Sequence, residues 1–467
     1  MRKTKIVCTL GPASSTREGI QSLIEAGMDV ARLNLSHGTQ REHSTTVSEI
    51  RQLCEDAGKH VAILMDLAGP KMRLGEFTGG SVELKSGASF CITIKEVEGT
   101  ENCASITYKD FAKQMKTGQI VHLSDGTVLL RVKSTDKENV HCMVERGGIV
   151  SSRKGVNVTG VALDIPALTP KDREDIEFIS RVGADYVGLS FCHRPSDILD
   201  LKQALAELQT PIPVIAKIEK KEALDRLKDI VDTADGVMVA RGDLGVEMPI
   251  QEVPMAQKRI IACANAANKP VITATQMLCS MVDNLRPTRA ETTDVANAIL
   301  DGTDATMLSE ETTIGKHPAA VVDMMAKIAL QAEPYVEPRM QVKNRGRALM
   351  NEAVSHSAAT AAMDLGAKAI VAFTRTGRTV KLMSRYRLPI PIIAITPSRE
   401  TSRQLSLFFG AEPILIEEIM STDHMLEVAA RVLLERGIIH KHQIYIVTAG
   451  LPTSETTPTN FMRAARL

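Results

Sequence analysis

The segment "PVIAKIEK" (213–220) opens as an apolar, β-branched strand and ends with Lys217 and Glu219 two residues apart. Side chains alternate along a strand, so these two project to one side. They read either as a buried ion pair, which is weak evidence for stability, or as the cation and anion of a catalytic site at a strand end. Other apolar runs end in similar chemistry. Arg32, Asn34 and Ser36 share one face of their run, Asp66 closes another, and a third runs into Arg241, Gly242 and Asp243. Further strand ends offer Thr9, Ser190, Thr275, Gln276, Ser309 and Glu310. Thr9, Ser190 and Ser309 read first as formers of turn or cap hydrogen bonds, and Asp243 can be read as a helix cap. Together, however, Glu219 and Asp243 offer the hard oxygens of a two-carboxylate Mg²⁺ site. The cations Arg32, Lys217 and Arg241 suit a phosphate or carboxylate beside it. The residues alone point to a Mg²⁺-dependent enzyme acting on a small phosphorylated or carboxylated anion.

Such a rim needs elements that bring distant strand ends together. Eight apolar runs do so: "KIVCTL" (5–10), "DVARLNLS" (29–36), "HVAILMDL" (60–67), "ADYVGLSF" (184–191), "PVIAKIE" (213–219), "GVMVAR" (236–241), "PVITATQ" (270–276) and "DATMLS" (304–309). Helix-length segments separate them, apart from one long gap after the third. Eight strand–helix units predict a closed (β/α)8 TIM barrel over residues 1–70 and 169–340, with chemistry at the C-terminal strand ends. In the gap, residues 71–168 switch to alternating strands, with Asp125-Gly126 as a hairpin signal. This predicts an inserted small β-barrel domain that acts as a lid. Three further strands, "AKAIVAFT", "IPIIAIT" and "HQIYIVTAG", predict a C-terminal α/β domain over 345–467.

Composition narrows the function. Of 467 residues, 56 are Lys or Arg and 56 are Asp or Glu, so there is no net charge to favour nucleic acid or an anionic membrane. Trp is absent, and nine Phe and five Tyr make base-stacking platforms a poor expectation. Eight cysteines without a CxxC pair read as reduced thiols of a cytoplasmic protein. The N-terminal apolar stretch is too short for a signal peptide, and no run approaches a membrane span.

The segments "TKIVCTLGP", "RLNLSHG", "KGVN", "KIE", "VARGDLGVE", "ATQML", "RPTRAE" and "DVANAILDGTDA" occur in this order. As an ordered set they resemble pyruvate kinases, phosphotransferases of the last step of glycolysis. The resemblance implies phosphoryl transfer from phosphoenolpyruvate to ADP, giving pyruvate and ATP. It implies that Lys217 neutralises the phosphoryl and enolate oxygens, and that Glu219 and Asp243 hold Mg²⁺ or Mn²⁺. Arg32 would grip the phosphoryl group. Backbone N–H groups at Gly242 and Asp243 would receive the substrate carboxylate, and Thr275 would organise proton delivery. Asn34, Ser36, His37, Arg73 and Lys154 would surround the nucleotide. The loop "TRTGRT" (Thr374, Arg375, Thr376, Gly377, Arg378, Thr379) resembles an effector phosphate site. A homotetramer is implied as well.

Departures from the family pattern are equally specific. Many relatives read "DTKGPEIRTG" where this chain has "DLAGPKMRLG" (66–75). Leu67 removes an oxygen ligand for K⁺, and Lys71 supplies a tethered ammonium in its place. The expectation is a K⁺-independent enzyme in which Asn34, Ser36 and Asp66, the usual monovalent-cation pocket, are polar supports. Relatives often carry Gly at position 310 and Lys at 314, where this chain has Glu310 and Ile314. The late loop "AGLPTSETTPTN" (449–460) lacks the Trp and Arg of fructose-1,6-bisphosphate-responsive relatives. A sugar monophosphate or nucleotide is the expected effector. A Mg²⁺-dependent lyase or aldolase working through a pyruvate enolate is the rival enzyme reading. It needs neither an ADP site nor a lid.

Overall fold

The computed structural model describes all residues except 125, 160–165, 341–348, 417–420 and 453–456. Asp125 of the hairpin signal, much of the polar stretch before the C-terminal unit, and part of the late loop therefore lie outside the described residues.

Eight parallel strands close into a barrel in sequential order: β1 (Lys5–Thr9), β2 (Val30–Asn34), β3 (Ala62–Asp66), β4 (Tyr186–Leu189), β5 (Val214–Ile218), β6 (Gly236–Ala240), β7 (Val271–Ala274) and β8 (Ala305–Leu308). Each falls on one of the apolar runs. The runs are continuous rather than alternating because a barrel strand is buried on both faces. Leu64, Ile215, Met238 and Ile272 pack in one cluster, while Ile63, Val214, Val237 and Val271 pack with the surrounding helices in another. Local chemistry sets the helix starts. Thr39 with Glu42, Thr169 with Asp172 and Thr288 with Glu291 form capping boxes. The last of these explains the order of residues in "RPTRAE".

The N-terminal ends of the strands repeat one device. Asp29, Asp185, Asp235 and Asp304 each precede a strand and accept a backbone N–H from the first or second residue of a neighbouring one: Ile6 at 2.8 Å, Ile63 at 2.8 Å, Val214 at 2.9 Å and Val271 at 3.0 Å. These carboxylates satisfy donors that the staggered barrel edge would otherwise strand.

Between β3 and β4 the chain forms a six-stranded sheet ordered Val156–Thr159, Ile120–Leu123, Val128–Thr135, Asn139–Arg146, Ser89–Thr93 and Cys103–Ser105, with a two-stranded ribbon of Ser81–Leu84 and Gly148–Ser151. Phe90, Phe111, Leu130 and Val140 centre its own core. The C-terminal sheet is ordered Ala411–Leu415, Ile392–Thr396, Ile370–Phe373, Ile444–Ala449 and Phe461–Arg466. Its three inner strands are the predicted ones. The two outer strands escape a reading by apolar runs for physical reasons: one contains Pro413, tolerated at an edge, and the other is the polar, exposed "FMRAAR".

This C-terminal sheet and its helices seat on the N-terminal mouth of the barrel. Buried Arg387 pairs with Asp304 at 2.7 Å, Arg403 with Asp185 at 2.7 Å, and the Tyr186 hydroxyl donates to the Gln404 carbonyl at 2.6 Å. The opposite mouth is left to the strand ends that carry the chemistry. Among the described residues, no helix is long and apolar enough to cross a membrane.

Candidate active site

Lys217 lies in β5 and is buried. Its ammonium is 2.9 Å from Glu219 Oε1 and donates to Asp66 Oδ2 at 3.1 Å and Ser190 Oγ at 2.8 Å. Burial works against its charge, but Asp66 and Glu219 outweigh that, and the ammonium is held well above the usual lysine range. Arg32, on β2, donates through Nε to Asp66 Oδ2 at 3.0 Å and through a terminal nitrogen to Thr9 Oγ1 at 3.1 Å. Burial pushes the Asp66 carboxyl upward, yet Lys217 and Arg32 together bring it below its ordinary range. Its other oxygen, Oδ1, is buried without a hydrogen-bond partner. Asp66 thus sits between two cations, a contact that gives specific form to its expected role as a polar support beside Asn34 and Ser36. Asn34 is its register partner on β2, but the Asn34 side chain accepts the Ser36 N–H at 3.1 Å, and Ser36 and His37 lie exposed in the turn beyond the strand.

Glu219 follows β5 and is buried. Its Oε2 accepts the Phe191 N–H at 2.6 Å, which requires Phe191 to adopt a left-handed φ of 54°. Burial raises the Glu219 carboxyl, Lys217 opposes that, and the charge of Asp243 raises it again. Glu219 and Asp243 therefore face one field. No cluster of three or more His, Cys, Asp or Glu suited to a metal occurs among the described residues. The pair fits a hard divalent ion that takes two protein carboxylates and completes its shell with water and substrate. A cation there would also relieve the mutual repulsion that raises Glu219.

Past β6, the helix Arg241–Glu247 begins immediately. The Gly242 N–H donates to Thr275 Oγ1 at 2.8 Å. The carboxylate cradle expected from the Gly242 and Asp243 N–H groups is thus already partly engaged, because Thr275 has turned toward it. Thr275 holds φ at 71°, rare for a β-branched residue and typical of strain kept at functional sites. Arg241 maintains that turn: it donates to the Ala274 carbonyl at 3.2 Å and the Thr275 carbonyl at 2.7 Å and pairs with Asp294 at 2.7 Å. It belongs to the rim but braces a backbone rather than lining the anion site.

Ser190 and Thr9 are the residues that spacing undervalued. Both make the expected backbone hydrogen bonds, to Leu67 and Leu308. Each also accepts from a key cation, Lys217 or Arg32. A single sequence shows the first kind of bond and hides the second.

Arg73 and Lys154 meet at the base of the inserted sheet, where Arg73 bridges to Gly155 and the Leu74 N–H donates to the Lys154 carbonyl at 2.9 Å. The insertion touches the barrel mouth through Asn157, which donates to Glu247 Oε1 at 3.0 Å, and Lys220 pairs with the same oxygen. The Lys71 side chain runs along Gly155, where an added Cβ would lie 2.9 Å from its Cε. The missing Cβ of Gly155 is what leaves room for it. Glu310 begins a short helix and Ile314 is exposed.

In the C-terminal sheet, Thr374–Gly377 connects the strand Ile370–Phe373 to the helix Arg378–Ser384, with Gly377 at φ 75°. The Thr401 hydroxyl donates to the Arg375 carbonyl at 2.8 Å. Thr379 is buried and its hydroxyl is 2.7 Å from that of Thr459, so it closes the loop against the late segment instead of standing free. Thr376 and Arg378 flank the turn.

Comparison with known proteins agrees with this architecture. Residues 1–322 match the family model "Pyruvate kinase, barrel domain" and residues 352–465 match "Pyruvate kinase, alpha/beta domain". The pyruvate kinases of Staphylococcus aureus strains MRSA252 and USA300 are each 44% identical over 469 aligned positions, covering 99% of this chain and 80% of theirs. The crystal structure of a pyruvate kinase from Cryptosporidium parvum superposes with a TM-score of 0.94 at 35% identity, covering 100% of this chain and 96% of that one. With the closed barrel, the convergent strand ends and matches along nearly the whole length, the chain belongs to the pyruvate kinase family.

Proposed function

We propose that the barrel mouth transfers the phosphoryl group of phosphoenolpyruvate to ADP through Lys217, Arg32 and the pair Glu219 and Asp243. Phosphoryl transfer asks little covalent chemistry of a protein; positioning and charge neutralisation dominate. Arg32 presents a planar fork to the phosphoryl oxygens, and Asp66 and Thr9 hold that fork in place. Lys217, kept charged and fixed by three partners, faces the negative charge that spreads over the phosphoryl and enolate oxygens. Glu219 and Asp243 would hold Mg²⁺ or Mn²⁺, which when bound supplies Lewis-acid polarisation of substrate oxygens. Thr275, with its hydroxyl fixed between the Gly242 N–H and the Ala274 carbonyl, orders the route by which the enolate receives its proton. A hydroxyl is a poor lone acid, so the proton itself comes through water. The convergence of Asp66 at 3.1 Å and Glu219 at 2.9 Å on the one Lys217 ammonium carries this reading.

ADP would bind along Asn34, Ser36 and His37 on one side and Arg73 and Lys154 on the other, with residues 71–168 as the lid and residues 1–70 and 169–340 as the catalytic barrel. Lys71 stands in for K⁺: Leu67 offers only a buried side chain and a carbonyl that already accepts Ser190. The unit 345–467 would take a phosphorylated effector, a sugar monophosphate or a nucleotide, at Thr374–Thr379. A homotetramer working in the cytoplasm completes the proposal. The lyase reading is disfavoured because it leaves Arg73, Lys154 and the insertion without a task. The deciding experiment mixes protein, Mg²⁺, phosphoenolpyruvate and ADP and follows pyruvate. Pyruvate formed only when ADP is present supports kinase chemistry; pyruvate formed without ADP overturns it.

A further inference from the structure

We propose that Cys91 and Cys103, on neighbouring strands of the inserted sheet, close to an intramolecular disulfide on exposure to hydrogen peroxide and fasten the base of that sheet. The two residues are direct partners in the parallel pairing of Ser89–Thr93 with Cys103–Ser105. Register partners project to the same face, and adjacent strands lie roughly 4.8 Å apart, inside the window of about 4.4–6.8 Å between Cα atoms that a disulfide spans. Both thiols are half-buried and free, and the Cys91 thiol donates to Asn139 Oδ1 at 3.8 Å. Cys142 is buried and pairs in register with Phe90, the inward neighbour of Cys91, so it faces the core on the other side of the sheet. The pairing is thereby restricted to Cys91 and Cys103. Burial and the neighbouring sulfur push the Cys91 thiol up to about 12.

The step balances. The Cys103 sulfur attacks one peroxide oxygen, the O–O bond breaks, and a sulfenic acid and one water form. The Cys91 sulfur then attacks the sulfenic sulfur, the S–S bond forms, and the second water leaves with the Cys91 proton. Two thiols lose two electrons and two protons, and peroxide is reduced to two waters.

The strand Cys103–Ser105 continues into Ile106 and Thr107, which grip the segment leaving the barrel. Leu74 bridges to Ile106, the Gly75 N–H donates to the Ser105 carbonyl at 2.8 Å, and the Arg73 N–H donates to Thr107 Oγ1 at 3.0 Å. Tying this edge strand to its only sheet neighbour among the described residues would stiffen the root of the insertion. This consequence does not depend on which reaction the barrel mouth performs.

The test treats the full-length protein with graded hydrogen peroxide and maps its peptides without reduction. The expected product is a cross-linked pair of peptides containing Cys91 and Cys103, lighter by two hydrogens, restored by dithiothreitol and absent in both Cys91→Ser and Cys103→Ser. Amide exchange over residues 73–77 and 103–107 should slow by about tenfold in the oxidised form and recover on reduction. Cys263 and Cys279, half-buried elsewhere, serve as internal controls. Both sheet thiols remaining alkylatable after those controls have oxidised would overturn the proposal, as would cross-links to Cys142 or unchanged exchange in a fully cross-linked sample.

Discussion

The Lys217 ammonium and the Arg32 guanidinium share one oxygen, Oδ2 of Asp66, which lies 3.1 Å from Lys217 Nζ and 3.0 Å from Arg32 Nε. One buried carboxylate thus fixes the spacing of two cations that would otherwise repel. Asp66→Asn keeps the shape and removes the charge. Breaking a buried ion pair by neutralising one partner costs about 3–5 kcal/mol, and urea unfolding should show a loss of that order. The sign with pH is definite. The native carboxyl is held below its ordinary value, so its contribution is fully present above the unfolded pKa of about 3.9. It is lost as pH falls through the lower native value. The stability gap between wild type and Asp66→Asn should be constant near neutrality and shrink in acid. A gap that widens in acid contradicts this account.

Gly188 sits where the carboxylate needs room. A Cβ built on it would lie 2.4 Å from Asp66 Oδ1. Gly188→Ala should therefore push Asp66 off its partners and lower turnover by roughly a hundredfold, as expected when reacting groups shift by about 1 Å. Steady-state kinetics check this, with circular dichroism to verify that the barrel remains folded. Unimpaired turnover in a folded variant would show that the carboxylate position is not critical.

Lys217→Met keeps an unbranched chain, one heavy atom shorter, and removes the ammonium. Phosphoryl transfer should fall by several orders of magnitude while Mg²⁺ still raises the melting temperature. Retention of a tenth of wild-type turnover would refute the role given to Lys217.

Glu219 is raised by burial and by Asp243, so a bound divalent cation relieves an existing repulsion. Mg²⁺ should raise the melting temperature of the wild type. Glu219→Gln and Asp243→Asn should each abolish that shift without preventing folding. Mg²⁺ affinity of the wild type should also weaken in acid, because the carboxylates must be ionised to bind. Equal Mg²⁺ shifts in all three proteins would move the metal elsewhere.

Leu67 and Lys71 predict nearly equal activity in Na⁺, Tris and K⁺ buffers. A tenfold or larger rise on adding K⁺ would restore Asn34, Ser36 and Asp66 to an ion-binding role.

Residue types and spacing were enough to mark the eight barrel strands, the change of pattern inside the insertion, and the strand end at which Lys217 and Glu219 lie side by side. Short, β-branched apolar runs separated by helix-length segments fit strands buried on both faces, and within such a strand a cation and an anion two residues apart share one side. Tertiary structure decided what touches what. Asp66 lies far from Lys217 in the chain, and nothing local announces that its carboxylate joins Lys217 to Arg32. Ser190 and Thr9 look like ordinary strand-end hydroxyls until the barrel closes and brings the cations to them. Spacing places the Gly242 N–H at the start of a helix; only the tertiary structure shows that it donates to Thr275 Oγ1, in a left-handed turn whose carbonyls accept from Arg241. Spacing along the chain fixes which face a side chain takes, whereas closure of the barrel fixes which other faces it meets.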